Sequence, residues 1–122
     1  MTDNPPGPPT GAQQLEDEVA DFELALPLAD LKPGEVTPVV VHGRQVAMYI
    51  VDGTPYCTED LCTHDMCLIS EGGYVDGDEV ECACHGGRFS VKTGAVTALP
   101  PVVPLRCFPV EVRGADVYVR IE

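Results

Sequence analysis

The sequence predicts an all-β protein, an antiparallel β-sandwich with a small inserted subdomain made of two loops. Three observations predict it. Short β-branched or aromatic runs recur from Phe22 onward, Gly-containing dipeptides punctuate them, and two boxes rich in Cys and His fall between runs rather than inside them.

Taken in order, residues 1–21 read as a disordered, acidic, Pro-rich tail. Pro5, Pro6, Pro8 and Pro9 surround Gly7, and Glu16, Asp17, Glu18 and Asp21 follow with no basic residue and little apolar content to offset ordering entropy. Residues 22–122 form the domain. Residues 27–31 suit one helical turn at most, and the strand-like runs are 37–41, 45–51, 54–58, 78–82, 88–91, 105–112 and 117–121. His42-Gly43, Asp52-Gly53, Asp76-Gly77 and Gly114-Ala115 separate successive runs and read as hairpin turns, Asp-Gly being the strongest such signal. The inserted subdomain spans about 59–104, and no internal repeat is visible.

At 122 residues the chain is long enough for one domain with a modest core. Seven Lys and Arg against twenty Asp and Glu leave a net charge of −13, which argues against nucleic acid or an anionic membrane and for basic protein partners. No basic residue precedes Lys32, no apolar stretch there suits a signal sequence, and none reaches transmembrane length, so a cytoplasmic location is expected. In that compartment six cysteines point to metal ligation or free thiols before a disulfide framework. Cys57 and Cys107 sit within strand-like runs and read as small core fillers.

Cys62-Thr63-His64 and Cys82-Ala83-Cys84-His85 carry the chemistry. Two thiolates and two imidazoles suit zinc or an iron–sulfur cluster, not calcium or magnesium. Zinc fingers pair Cys with Cys and His with His at short spacing, whereas each box here supplies one of each. A Cys-x-His box followed by Cys-x-x-His matches the Rieske pattern, in which two histidines replace two cysteines on one iron of a [2Fe–2S] cluster.

From residue 25 to the C-terminus the chain resembles the Rieske ferredoxin component of bacterial aromatic-ring-hydroxylating dioxygenase systems. Asp60-Leu61-Cys62-Thr63-His64, Glu81-Cys82, His85-Gly86-Gly87-Arg88-Phe89 and Thr93-Gly94 carry the resemblance. It implies a Rieske fold and a Rieske-type [2Fe–2S] cluster, with Cys62 and Cys82 on one iron and His64 and His85 on the other, nearer solvent. It further implies a non-enzymatic carrier that takes single electrons from an NAD(P)H-dependent flavoprotein ferredoxin reductase and delivers them to a terminal oxygenase in aromatic hydrocarbon catabolism. A respiratory or other cytoplasmic Rieske subunit is the alternative, and a structural zinc module the remote one. An oxygenase needs a further mononuclear iron held by two histidines and a carboxylate, and His42 is the only histidine left over.

High-potential Rieske proteins resemble the chain in another detail, because Cys67 and Cys84 stand where those proteins form a disulfide; a bridge and a pair of small buried thiols both remain open. Where those proteins place hydroxyl donors to sulfur, this chain has Gly87 and Phe89. Nine carboxylates and no Lys or Arg lie between Arg44 and Arg88. A potential near the lower Rieske limit, about −150 mV, follows. Gly86 and Gly87, with no Cβ, are expected to approach the cluster and donate N–H groups to its sulfurs, against the plainer reading of a turn pair. Partner contact is expected at Met66, Leu68, Arg88, Pro100, Pro101 and Val102. Met66 and Leu68 as cluster cover, and the prolines as loop stiffeners, are the plain alternatives.

Overall fold

The computed structural model describes residues 21–63, 67–84, 86–101 and 103–121. The tail up to residue 20, and His64, Met66, His85 and Val102, lie outside the described residues.

Among the described residues, ten antiparallel strands form three sheets. β1 (Glu23–Pro27), β10 (Asp116–Val119) and β9 (Val110–Arg113) make the first, in the order β1-β10-β9. β2 (Thr37–Val41), β3 (Arg44–Val51) and β4 (Thr54–Glu59) make the second. β1 lies beside β2 and β4 beside β9, so these two sheets form the body of the domain. The third, in the order β5-β6-β7-β8, comprises Tyr74–Asp76, Glu79–Glu81, Arg88–Ser90 and Val96–Ala98. It is the inserted unit.

The hairpins follow from their turn residues. β2 and β3 meet through His42 and Gly43 at φ 53° and 72°, and β3 and β4 through Asp52 and Gly53 at 52° and 80°. Two consecutive left-handed residues are what a two-residue hairpin with native twist requires. Between β5 and β6 the turn pair is Gly77-Asp78 rather than Asp76-Gly77, since Asp76 pairs with Glu79 and Gly77 supplies the positive φ of 67°.

Three further departures have physical causes. Residues 105–112 are not one strand, because Pro109 interrupts the run and lacks an N–H donor. Residues 106–108 instead run along β4, where Glu59 N–H donates to Arg106 O (2.9 Å) and Phe108 N–H to Cys57 O (3.0 Å) around a Thr58–Cys107 bridge. β1, β5 and β8 were not expected from the pattern; two of them have only three residues, and all carry polar or small residues that dilute the alternation. The expected helical turn is present as a 3-10 turn over Leu28–Asp30.

β3 is the shared wall. Val46 and Met48 face a core with Leu26, Leu31, Val41, Cys57, Phe108, Val117 and Val119 in the body. Ala47 and Tyr49, of opposite parity, face a second core with Ile69, Val80, Phe89, Val91 and Leu105 under the inserted sheet. A strand covered on both faces reads as a continuous apolar run, as 46–51 does.

Candidate metal centre

Cys62 and Cys82, the first residues of the two boxes, each begin a loop and seal it with their own backbone. The Cys62 N–H donates to the Cys67 carbonyl (2.8 Å), beside a Leu61–Leu68 bridge. The Cys82 N–H donates to the Gly87 carbonyl (2.8 Å), five residues on as before. Cys62 and Cys82 are 4% and 2% exposed, belong to one buried cluster with Ile69, Val80 and Phe89, and are thiols. A disulfide joins Cys67 to Cys84 across the two loops, with Cα atoms 6.5 Å apart.

The first loop is anchored below by Asp60, a buried carboxylate 1% exposed. Its oxygens accept from Gln45 Nε2 (2.7 Å), Ser70 N–H (2.8 Å) and the Ser70 hydroxyl (2.6 Å). Its own carbonyl takes the Ile69 N–H (2.7 Å), so strand, loop entry and loop exit meet at one residue. A buried carboxylate with three donors is satisfied, which is the condition for its presence in a core. No local pattern in the sequence marks this role for Asp60, because its donors lie fifteen residues before and ten after it.

A third segment clamps both loops. The Thr63 hydroxyl donates to the Val103 carbonyl (2.6 Å), and Pro101 is buried against Gly87 so closely that a Cβ on Gly87 would overlap the Pro101 ring. Gly94, at φ 80°, leaves no space for a Cβ beneath the Leu105 carbonyl and lets this segment return to the body.

The expected neighbours of the centre fall into place unevenly. Phe89 is fully buried in the cluster that holds Cys62 and Cys82. The Gly86 N–H donates to the Cys82 carbonyl (3.0 Å). Pro101 is corrected from a partner contact to a buried packing residue, while Pro100 and Leu68 are half-buried. The Arg88 guanidinium, on the sheet surface, is held by Asp76 (2.9 Å), Glu79 (3.5 Å) and Glu81 (3.6 Å), with Tyr74 donating to Glu81 (2.9 Å). The Asp76 hydrogen bond raises its pKa further. Among the described residues of this region, Leu61, Tyr74, Leu99 and Val103 are large apolar side chains left exposed.

Away from the centre, burial pushes the Cys57 thiol and the Tyr49 phenol well above their ordinary pKa values. Tyr49 Oη lies 2.7 Å from Thr58 Oγ1, and that hydroxyl lies 2.8 Å from the Glu59 carbonyl. His42 sits in its hairpin turn, 3.2 Å from Glu23. No helix among the described residues is long and apolar enough to cross a membrane.

Comparison with known proteins agrees with this geometry. Residues 22–109 match the Rieske [2Fe–2S] domain. The biphenyl dioxygenase ferredoxin subunit of Pseudomonas sp. strain KKS102 is 44% identical over 98 residues, covering 80% of this chain and 90% of that protein. A chain in the solved complex of reduced oxygenase and oxidized ferredoxin in carbazole 1,9a-dioxygenase is 40% identical with a TM-score of 0.76, covering 83% of this chain and 94% of that one. The terminal oxygenase of carbazole 1,9a-dioxygenase from Nocardioides aromaticivorans IC177 shares the fold at 22% identity and a TM-score of 0.75, but the match, 84% of this chain, covers only 30% of it. The two buried thiols, the paired loops and the near-full-length match to ferredoxin subunits place the chain in the Rieske [2Fe–2S] family, as a ferredoxin component of the dioxygenase type that carries electrons on a Rieske-type cluster and is not itself the catalytic oxygenase.

Proposed function

We propose that this ferredoxin works in the cytoplasm, taking single electrons from an NAD(P)H-dependent flavoprotein reductase and passing them to a terminal oxygenase of aromatic-ring dihydroxylation. Cys62 and Cys82 would hold one iron and His64 and His85 the other, in a domain spanning residues 22–122 with its cluster-binding part at about 59–104. The observation that carries the reading is the twin construction of the two loops, each begun by a buried thiol and closed by that residue's own N–H.

When bound, the cluster supplies a one-electron acceptor and donor; the chain's residues do the rest. Ile69, Val80 and Phe89 wall the two cysteines from water, which lowers the reorganisation that accompanies a change of charge. Asp60 and the Thr63–Val103 bond fix the first loop, and the Gly87–Pro101 contact fixes the second. Leu61, Leu99 and Val103 offer an apolar rim for short-lived contact, and the net charge of −13 steers basic partner surfaces toward it. With Phe89 buried and no hydroxyl at Gly87, the potential lies toward the lower Rieske limit of about −150 mV.

Stopped-flow mixing tests the reading. The oxidised protein should be bleached by NADH with a catalytic amount of flavoprotein reductase and recolour on mixing with an oxidised terminal oxygenase, both steps slowing as salt is raised. A colourless protein, or one reduced chemically but by no reductase of this class, contradicts it. A midpoint well above zero would overturn the potential alone.

A further inference from the structure

The second loop is carried by β6 and β7, and one side chain ties its base together. Glu81 immediately precedes Cys82, Arg88 immediately follows Gly87, and the two stand opposite each other in register, one rung below the Cys82–Gly87 hydrogen bond. They lie on the outer face of the sheet, since Val80 and Phe89, of opposite parity, are fully buried beneath it. Arg88 Nη2 reaches Asp76 on β5 (2.9 Å), and its Nε sits between Glu79 (3.5 Å) and Glu81 (3.6 Å) on β6. That Nε is buried and forms no hydrogen bond with a described residue, so the guanidinium is shared across three strands rather than committed to one partner. Tyr74 holds the same Glu81 carboxylate from β5 (2.9 Å). The carboxylate so fixed lies against the loop, because its other oxygen is 3.8 Å from the place a Cβ on Gly86 would take. No Lys or Arg lies between Arg44 and Arg88. Without the guanidinium, three like charges would stand together at the foot of the loop and drive Glu81 off it.

We propose that Arg88 is a positioning residue for the second cluster loop, holding the Glu81 carboxylate against it together with Tyr74 and offsetting the negative charge of Asp76, Glu79 and Glu81 so that the centre accepts its electron more readily. The inference rests on the cluster site assigned above. It has two separable parts. The positional part needs the planar fork of an arginine, because a lysine ammonium is a compact point charge that cannot reach β5 and both β6 carboxylates at once. The electrostatic part needs only the positive charge, because adding an electron near three carboxylates is opposed by each of them and favoured by any cation in their midst. Tyr74 serves the first part alone, since its hydroxyl carries no charge while donating to Glu81. The core beneath the sheet involves none of these four polar side chains and is retained when they change.

The test compares the full-length holoprotein with Arg88→Gln, Arg88→Lys, Tyr74→Phe and the double variant Arg88→Gln with Asp76→Asn, which restores the net charge of the wild type. An EPR-monitored titration gives the midpoint potential, bleaching of the visible absorbance with an iron chelator gives the rate of cluster loss, and circular dichroism in denaturant gives global stability. Arg88→Gln should lower the ratio of reduced to oxidised protein at a fixed potential on the order of threefold, which at 59 mV per tenfold is a midpoint lower by about 28 mV, and should also speed cluster loss. Arg88→Lys and Tyr74→Phe should keep the wild-type midpoint and lose the cluster faster. The double variant should return toward the wild-type midpoint while still losing the cluster fast. A wild-type midpoint in Arg88→Gln, a double variant as low as Arg88→Gln, slow cluster loss in Arg88→Lys and Tyr74→Phe, or loss that rises only in step with a lower denaturant midpoint would overturn the proposal. If the wild type shows no cluster absorbance, the site assignment fails first and the role of Arg88 with it.

Discussion

The body and the inserted unit of this molecule solve the problem of stability in different ways. In the body, strands of four to eight residues form long hairpins around a core in which Val46, Met48 and Val117 are fully buried. In the inserted unit the strands have three residues each, and the small core beneath them is supplemented by particular links: the Asp60 network, the Gly87–Pro101 contact, the Thr63–Val103 bond and one disulfide. The difference follows from what each must do. A core can be filled with hydrocarbon, but loops that surround an inorganic cluster cannot collapse onto themselves, so they are fixed by bonds to their bases.

Substitutions should separate the two regions. Met48→Ala removes a fully buried side chain from the body and should cost about 2–5 kcal/mol, read as a lower denaturant midpoint with the cluster lost only on global unfolding. Gly87→Ala drives a Cβ into the Pro101 ring and should cost about 1–3 kcal/mol, with faster cluster loss before the denaturant midpoint is reached. Ser70→Ala withdraws one donor from Asp60 and should cost about 1–3 kcal/mol, visible first as faster iron release to a chelator rather than as a lower midpoint. If Gly87→Ala and Ser70→Ala instead lower the midpoint in step with cluster loss, the two regions are one cooperative unit.

The smallest expected effect is on pH dependence, and it belongs to the body. Burial raises the folded-state pKa of Cys57 above its unfolded value, so the stability tied to the neutral thiol is fully present below about pH 8.5 and is lost as pH rises. The Tyr49 phenol acts in the same direction from about pH 10 upward. Cys57→Ala should flatten the alkaline decline in denaturant midpoint between about pH 8.5 and 10. An equally steep decline would place its origin elsewhere.

What the amino-acid order disclosed tracks the same division. β2, β3 and β4 were legible because their alternation or continuous apolar character is strong and their turns carry His-Gly and Asp-Gly. β5 and β8 were not, since three-residue strands leave too little pattern to distinguish from loop. The two boxes announced the centre through residue type and spacing alone. Its supports did not announce themselves: Asp60, Ser70 and Gln45 meet only once the chain has folded, and Pro101 reads as a surface residue until Gly87 is seen against it.

Low-temperature EPR of the dithionite-reduced protein, on the wild type and on Cys62→Ser and Cys82→Ser, tests the central claim most directly. The wild type should give a rhombic signal with an average g value below that of an all-cysteine cluster, and each variant should lose it while circular dichroism keeps the strand content of the body. A signal that survives either substitution, or an axial all-thiolate signal in the wild type, would contradict the assignment of the two boxes and the electron-carrying function built on it.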